Sequence, residues 1–287
     1  MIKIRKAIIT AAGWGTRFLP VTRSQPKEML PLVNKPLIHY AVQEAIDSGI
    51  EQIILVTAMG KHAIEDYFDR SFELEHVLEK KGDNKLLEEM RRISALADIC
   101  YIRQKEQLGL GHAVSIARSI VADEPFALIL PDDIIDGRVP ALKQLMDVYR
   151  ERGTSVVAVE RIDAQDTMKY GIISPEEMAP RLHRVLDLIE KPEPEDAPSD
   201  LGIVGRYILV PEIFDALACT GPGSIKEIQL TDAIRLLLKE HTVTACEFEG
   251  ARYDTGNPSG WLEANVAMAL TDPDIGPGLK QRIRKLL

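Results

Sequence analysis

The sequence predicts an α/β protein with a Rossmann-like, mixed but mostly parallel sheet flanked by helices, and an added antiparallel layer in the second half. Two observations in the first half carry this prediction. Short continuous apolar runs occur at residues 6–10, 52–57, 99–102 and 126–130. Between these runs, apolar residues recur at helical spacing, as in Ile38, Ala41, Val42, Ala45 and Ile46. Apolar strands that alternate with amphipathic helices are typical of a parallel sheet covered on both faces.

The second half of the chain is less regular. The patterns predict a helix over 142–149, a strand over 155–159 and a helix over 230–238. Segments 170–173, 182–190 and 203–210 are separated by turn residues, which favours antiparallel strands added to a mixed sheet. Because no low-complexity linker or internal repeat interrupts the chain, we expect residues 1–287 to form a single domain.

Composition excludes several classes of function. The 287 residues are 45% hydrophobic and carry a net charge of −9, whereas a nucleic-acid-binding protein normally presents a basic face. No apolar run approaches the roughly 20 residues that a membrane-spanning helix requires, and the apolar stretch after the basic N-terminus is too short for a secretory signal. The three cysteines form no C-x-x-C pair, which favours reduced thiols and a cytoplasmic location.

A glycine-rich loop, AAGWGTR at residues 11–17, directly follows the first predicted strand. Gly13 and Gly15 would let backbone N–H groups approach a phosphate closely, although a tight turn explains the same glycines. The third glycine of a dinucleotide fingerprint is missing and Pro20 follows, which argues against a nicotinamide cofactor. No P-loop sequence is present either. Arg17, at the end of the loop, suits bidentate phosphate contacts.

Two further segments offer polar groups near the same predicted sheet edge. Lys27 and Glu28 lie between Pro26 and Pro31, which restrict the loop, so that Lys27 becomes a second candidate for a phosphate contact. Gln104 follows the third strand and can both donate and accept hydrogen bonds, as the edge of a nucleobase requires. After it, the glycine pair at 109 and 111 precedes a helix and offers free N–H donors.

Acidic residues follow the fourth strand, where Asp132 and Asp133 come directly after an apolar run. Ligands of open α/β sheets bind beyond the carboxyl ends of the strands, and carboxylates at that edge commonly recruit Mg²⁺ for phosphoryl transfer. A turn cap is the alternative explanation for these aspartates. Glu190 and Lys191 precede another proline, and Asp254 lies among turn residues. Together these acids and cations suit a metal–polyphosphate site.

Taken as a set, the segments resemble the sugar-1-phosphate nucleotidyltransferase family, and in particular its bacterial uridylyltransferase branch. The matching segments run in family order over almost the whole chain: residues 11–17 with Leu19 and Pro20, 26–31, 35–37, Gln104 with 108–114, 130–132, 190–192, 204–207, 227–232 and 254–257. The sequence PKEMLP at residues 26–31 resembles the corresponding segment of the uridylyltransferase branch more than that of the thymidylyl or adenylyl branches. Trp14 and residues 21–24 differ from the residues most common at these positions in the family.

The resemblance implies a role for each matching residue. The residues implied to bind the nucleotide are Ala11, Ala12, Gly13, Gly15, Glu28, Gln104, Gly109 and Gly111. The implied catalytic residues are Arg17, Lys27, Asp132 and Lys191. The implied sugar contacts are Gly171, Glu190, Lys191 and Val204, and the implied Mg²⁺ ligands are Asp132 and Asp254. Residues 1–135 would then form the nucleotide-binding half and 136–287 the half that binds sugar and mediates oligomerisation, as a homodimer or homotetramer.

The implied reaction joins UTP and glucose 1-phosphate to give UDP-glucose and pyrophosphate, with Mg²⁺ as the cofactor and no nucleic-acid or membrane partner. Three alternatives stay open at this point. The nucleotide could be dTTP, the sugar could be galactose 1-phosphate, or the chain could be a catalytically weak paralogue that binds a UDP-sugar and regulates a partner. A nicotinamide dehydrogenase is disfavoured because no acidic residue is suitably placed about 20 residues beyond an intact fingerprint.

Overall fold

Strands and helices alternate along the first half of the chain in the computed structural model, which describes residues 2–223 and 227–286. In chain order these are β1 (Lys6–Thr10), β2 (Pro31–Leu32), β3 (Lys35–Pro36), α1 (Leu37–Asp47), β4 (Gln52–Thr57), α2 (His62–Phe68), α3 (Phe72–Lys81), α4 (Asn84–Ser94), β5 (Asp98–Arg103), α5 (Leu110–Ser115), α6 (Arg118–Val121) and β6 (Phe126–Ile129). Short 3-10 turns occupy 16–18, 21–23 and 27–29.

The second half contributes more strands and the helices that cover them. They are β7 (Asp133–Asp136), α7 (Ala141–Arg152), β8 (Ser155–Arg161), β9 (Gly171–Ala179), β10 (Leu182–Glu190), β11 (Leu201–Leu209), α8 (Ile213–Cys219), α9 (Leu230–Leu237), β12 (Val243–Glu247), β13 (Ala251–Asp254), α10 (Pro258–Thr271) and α11 (Gly276–Ile283). A 3-10 segment, Ala164–Lys169, leads into β9.

Nine of these strands form one mixed sheet in the order β5-β4-β1-β6-β11-β8-β12-β10-β9. The first four strands in this order are mutually parallel. β11 lies antiparallel between β6 and β8, and β10 is antiparallel to both β12 and β9. The predicted mixed α/β fold is therefore confirmed. The antiparallel strands of the second half continue the central sheet at one side, because β11 pairs directly with β6.

The apolar core lies on both faces of this sheet. Side chains alternate along each strand, so Ile8 belongs to the cluster on one face and Ile9 to the cluster on the other. Helix α1 covers the Ile9 face with Ile38, Ala41, Val42 and Ala45, which are all buried. The helical stripe predicted for this segment is thus confirmed.

The charged segment 71–97 forms helices α3 and α4 between β4 and β5. Glu75 joins the two helices to the preceding loop, because its carboxylate accepts hydrogen bonds from Arg70 at 2.6 Å and from Arg91 at 2.9 Å. These two guanidinium groups hold the pKa of Glu75 at about 2. Across the described residues, no helix is both long enough and apolar enough to span a bilayer.

Candidate functional site

Two adjoining cavities lie at the carboxyl ends of the parallel strands. The first, which we call the glycine-loop cavity, has a volume of about 550 Å³ and the second, the β10 cavity, about 560 Å³. Predicted residues that line the glycine-loop cavity are Ala12, Gly13, Gly15, Lys27, Glu28, Gln104 and Gly109. Predicted residues that line the β10 cavity are Gly171, Glu190, Lys191 and Asp254. Arg17 and Asp132 line both cavities, so they lie where the two meet.

The glycine loop after β1 runs into a short 3-10 turn and does not open a helix. Gly15 adopts a φ of 66°, and a Cβ there would lie 3.1 Å from Thr22 and 3.2 Å from Lys27. The Thr22 hydroxyl donates a hydrogen bond to the Gly15 carbonyl at 2.8 Å. A Cβ on Gly13 would have no heavy atom within 4 Å, so this part of the loop is open to the cavity. The proline that interrupts the fingerprint, Pro20, follows this turn.

Glu28 and Gln104 are held rigidly at the wall of the glycine-loop cavity. Both side chains are buried, and the Lys61 ammonium donates to one Glu28 oxygen at 2.6 Å. The other Glu28 oxygen has no hydrogen-bond partner within the described chain. The Gln104 amide donates to the Gly109 carbonyl at 3.2 Å and lies 2.9 Å from Nδ1 of His112. His112 is therefore a structural partner of Gln104.

Backbone pairing brings Asp132 and Asp254 together although they are far apart in the sequence. Strands β7 and β13 form an antiparallel ribbon, and the Thr255 N–H donates to the Asp132 carbonyl at 2.8 Å. A Cβ on Gly256 would lie 2.9 Å from Asp254 Oδ1, 3.1 Å from Asp132 Oδ2 and 3.5 Å from Arg17 Nη1. The two carboxylate oxygens are therefore at most about 6 Å apart and face one space beside the Arg17 guanidinium.

Lys27 forms an ion pair with Asp132, with Nζ 2.6 Å from Oδ2. Burial acts to raise the pKa of Asp132, but the charge and hydrogen bond of Lys27, together with Arg17, hold that pKa below its ordinary value. Burial likewise acts to lower the pKa of Lys27, whereas Asp132 and Glu28 raise it above its ordinary value. Both groups are therefore charged near neutral pH.

Asp133 also lines the β10 cavity, but its carboxylate is held by neighbouring protein groups. Its carboxylate accepts hydrogen bonds from Arg252 Nε at 2.5 Å and from the Gly205 N–H at 3.1 Å. Burial acts to lower the pKa of Arg252, but Asp133 and Tyr170 raise it, so the guanidinium stays charged. Both carboxylate oxygens of Asp133 therefore already have protein donors in the free structure.

Arg206 clamps the backbone on either side of Asp132. Its guanidinium is fully buried and donates to the carbonyls of Leu130 at 3.1 Å and Asp133 at 2.7 Å. Glu44 of helix α1 neutralises it at 2.7 Å. Because a buried charge is tolerated only when it is paired and hydrogen-bonded, this pair fixes the loop that carries Asp132.

The β10 cavity places an acid and a cation at the end of one strand. Glu190 lies opposite Gly171 in the β9–β10 register and accepts a hydrogen bond from the Thr231 hydroxyl at 2.7 Å. Lys191 adopts a φ of 48°, an uncommon backbone conformation for a residue with a Cβ, and its N–H donates to the Tyr170 carbonyl at 3.0 Å. Its ammonium lies 3.4 Å from Glu190 Oε1.

Two residues of the predicted nucleotide set do not face the cavity. Ala11 is fully buried and its N–H donates to the Val56 carbonyl at 2.8 Å, so it completes the pairing of β1 with β4. The Gly111 N–H donates to the Ile228 carbonyl at 2.8 Å, and a Cβ on Gly111 would lie 2.8 Å from that oxygen. Neither Ala11 nor Gly111 lines either cavity, so the structure does not bring these two residues to the rest of the predicted nucleotide set. Gly111 is a glycine because another segment packs against it.

Val204, predicted to contact a sugar, is also not at the cavity surface. Its side chain is buried in the core cluster on the Ile9 face of the sheet. The neighbouring residues Ile203 and Gly205 line the β10 cavity instead, because side chains alternate along β11. The Val204 side chain therefore lies on the face of β11 opposite to the cavity.

Sequence reasoning missed several residues that line the β10 cavity: Lys169, Tyr170, Tyr207, Glu227, Gln229, Thr231, Arg252 and Asn257. Five of them, Tyr207, Glu227, Gln229, Thr231 and Asn257, lie within segments 204–207, 227–232 and 254–257, which the resemblance had already marked. Their position in these segments was the sequence signal by which they could have been found. Nothing in the spacing of Lys169, Tyr170 or Arg252 singles them out.

A comparison with family models identifies the class of protein that this fold and site define. The nucleotidyl transferase model matches residues 6–270, nearly the whole chain, so the chain belongs to the nucleotidyl transferase family. The family resemblance inferred from the sequence is confirmed.

Three individual relatives found by the comparisons share one kind of name within this family. The chain is 50% identical over 286 residues to a UTP–glucose-1-phosphate uridylyltransferase of Staphylococcus epidermidis, covering 100% of this chain and 99% of the relative. It is 39% identical to a UTP-bound UGPase from Acinetobacter baumannii, with a TM-score of 0.91 and 99% and 100% of the two chains covered. A UDP-glucose pyrophosphorylase complexed with UDP-glucose is 42% identical, with a TM-score of 0.86 and 94% and 100% covered.

Proposed function

We propose that this chain catalyses the reaction of UTP with glucose 1-phosphate to give UDP-glucose and pyrophosphate. The observation that carries the proposal is the junction of two cavities at Arg17 and Asp132. One cavity is lined by a glycine loop and a fixed Gln104, as a nucleoside triphosphate requires. The other has Glu190 and Lys191, which suit sugar hydroxyls and a phosphate. The names of the relatives support uridylyl transfer over the thymidylyl and regulatory alternatives.

In the proposed reaction, a phosphate oxygen of glucose 1-phosphate attacks the α-phosphorus of UTP in line. The new bond joins that oxygen to the α-phosphorus, and the bond to the β-phosphate bridging oxygen breaks as pyrophosphate leaves. Because the nucleophile is already anionic, no general base is required. Lys191 would hold the sugar phosphate, while Arg17 and Lys27 would neutralise the charge that develops on pyrophosphate. Catalysis then rests on positioning and charge neutralisation.

We propose Mg²⁺ as the cofactor, held by Asp132 and Asp254. Two carboxylates whose oxygens lie at most about 6 Å apart fit the hard, oxygen-preferring ion, which in phosphoryl-transfer sites typically takes one or two carboxylates plus substrate phosphates and water. No cluster of three His, Cys, Asp or Glu side chains suited to a metal occurs in the described ranges 2–223 and 227–286, in keeping with a site completed by substrate. When bound, the ion would supply further charge neutralisation at the phosphates.

Within the glycine-loop cavity, we assign the uracil and ribose to Ala12, Gly13, Glu28, Gln104 and Gly109. Gly15 shapes the loop along which the triphosphate would lie. In the β10 cavity, Gly171 and Glu190 would contact the sugar. These assignments follow the likeness to the family and agree with which residues line each cavity.

We also propose a cytoplasmic homodimer or homotetramer. The three cysteines are free, which suits a reducing compartment. Helix α10 leaves Leu262 and Val266 exposed, and apolar side chains of this kind suit a subunit interface. Light scattering of the purified protein would distinguish a dimer of about 64 kDa or a tetramer of about 128 kDa from the 32.0 kDa monomer.

The experiment that tests the function is pyrophosphate release from glucose 1-phosphate with UTP, dTTP, CTP, ATP or GTP, each with Mg²⁺ and with EDTA. We expect metal-dependent release that strongly favours UTP. A strong preference for dTTP would move the chain to the thymidylyl reaction. No release with any nucleotide, while UDP-glucose still raises the melting temperature, would favour the regulatory alternative. Galactose 1-phosphate, run in parallel, tests the sugar.

A further inference from the structure

The carboxylate of Glu190 is held by a hydroxyl from another element of the fold. Thr231, in the first turn of α9, places its Oγ1 2.7 Å from Glu190 Oε2 at the end of β10. An ionised carboxylate can only accept, so the threonine donates. Both residues line the β10 cavity, and both side chains are only partly buried.

Gly171 provides the space for this contact. It lies opposite Glu190 in the β9–β10 register, and a Cβ on it would lie 3.1 Å from Thr231 Oγ1 and 3.3 Å from Glu190 Oε2. Such approaches are tighter than ordinary van der Waals contact, so a side chain here would press on both groups. The absence of a side chain at Gly171 therefore suits the Thr231–Glu190 hydrogen bond as much as a ligand.

The two oxygens of Glu190 have different partners. Oε2 is occupied by Thr231, whereas Oε1 lies 3.4 Å from the Lys191 ammonium. That ammonium is on an exposed, flexible stem and can turn toward a phosphate, but the threonine hydroxyl is on a short, β-branched side chain. If Lys191 turned to a sugar phosphate, Oε1 would become free while Thr231 still held Oε2.

We propose that Thr231 is a positioning residue for sugar binding, fixing Glu190 through Oε2 so that Oε1 accepts a hydrogen bond from a sugar hydroxyl. The inference rests on the proposed function, in which the β10 cavity takes glucose 1-phosphate. A free glutamate side chain loses considerable rotamer freedom when it is ordered by a ligand. Thr231 removes that cost before the sugar arrives, which is the general benefit of preorganisation.

The test compares Thr231→Val, which keeps the shape and removes the donor, with Thr231→Ser, which keeps the donor. We expect Thr231→Val to raise the KM for glucose 1-phosphate about 10-fold, the value of a lost hydrogen bond to a charged group. The KM for UTP should stay within about twofold, and Thr231→Ser should restore the wild-type value. Thr220→Val is the matched control, because its hydroxyl donates to the Ala216 carbonyl away from both cavities.

A double-mutant cycle with Glu190→Gln shows whether Thr231 acts through Glu190. If it does, adding Thr231→Val to Glu190→Gln causes no further loss. Additive losses, an unchanged KM for glucose 1-phosphate in Thr231→Val, or equal increases in both KM values would overturn the inference. If Thr231→Val lacks the native circular dichroism spectrum, Thr231→Ala replaces it in the same cycle. Absence of turnover in the wild type would instead refute the proposed function.

Discussion

Replacing Lys27 by methionine should have opposite effects on metal and nucleotide binding. In the free protein the Lys27 ammonium is 2.6 Å from Asp132 Oδ2, one of the two carboxylates assigned to the metal. On the proposed assignments, a metal ion at Asp132 would compete with that ammonium, whereas a triphosphate would gain from it. Methionine keeps a similar apolar stem and removes the charge together with its hydrogen-bond donors. We therefore expect Lys27→Met to bind divalent metal more tightly without nucleotide and UTP more weakly.

The size of each effect follows from the geometry. Opposite unit charges about 4 Å apart attract by about 4 kcal/mol at an effective dielectric constant of about 20, before desolvation is subtracted. The side chains of Lys27 and Asp132 are 20% and 27% exposed, so solvent screens part of this attraction. If roughly a third of this attraction remains, removing it should raise the metal affinity of Lys27→Met about tenfold, since about 1.4 kcal/mol corresponds to a factor of ten. Loss of a charge-assisted hydrogen bond costs about 1.5–3 kcal/mol, so the affinity for UTP should fall about 10- to 100-fold.

Metal binding is measured with Mn²⁺, whose free ion gives a distinct electron paramagnetic resonance signal, and UTP binding by calorimetry in EDTA. Lys143→Met is the matched control, because Lys143 pairs with Asp147 on helix α7 outside both cavities. This control should leave both affinities unchanged. If Lys27→Met bound Mn²⁺ no more tightly than the wild type, the Lys27–Asp132 pair would not compete with metal, and the reasoning would fail.

Three other predictions test the surroundings of the site. Gly256→Ala places a methyl group between Asp132 and Asp254, and kcat should fall about 100-fold with little change in melting temperature. Lys61→Met leaves Glu28 as an unpaired buried charge and should cost about 3–5 kcal/mol in urea unfolding; Glu28→Gln in the same chain should recover most of it. Burial, then Lys35 and Arg92, lower the pKa of His39 from 6.5 to about 4. Because the unfolded chain takes up this proton first, stability should fall as pH decreases from 6.5 to about 4, and His39→Asn should flatten that slope; parallel curves would contradict it.

The parallel part of the fold could be predicted closely because each strand is a continuous apolar run bounded by turn residues. The run at 52–57 coincides with β4, and that at 6–10 with β1. Such local patterns reflect burial on both faces of the sheet. The position of β11 could not be predicted in the same way, since its insertion between β6 and β8 depends on pairing between distant segments.

The site was predictable where chain order alone places a residue at the carboxyl edge of the sheet. Arg17, Gln104 and Asp132 follow strands β1, β5 and β6, and parallel strands bring these positions to one edge. Thr231 and Arg252 reach the same cavity from elements that come much later in the chain. Nothing in the sequence marks Arg252, and for Thr231 the only signal is that it falls within segment 227–232, so the packed structure is needed to show what either residue contacts.

Asp132 and Asp133 are adjacent in the sequence, but their carboxylates have different surroundings in the fold. By position the two are alike, two carboxylates after one apolar strand, and only the family resemblance singles out Asp132. In the structure Asp133 is the first residue of β7 and lies opposite Asp254, where Arg252 and Gly205 occupy its oxygens. Asp132 precedes the ribbon, so its carboxylate remains at the junction of the cavities. An Asp133→Asn exchange should therefore lower stability through the buried Arg252, whereas Asp132→Asn should spare stability and lower turnover. The alternation of side chains along a strand, together with one buried cation, separates a structural carboxylate from one available to ligand.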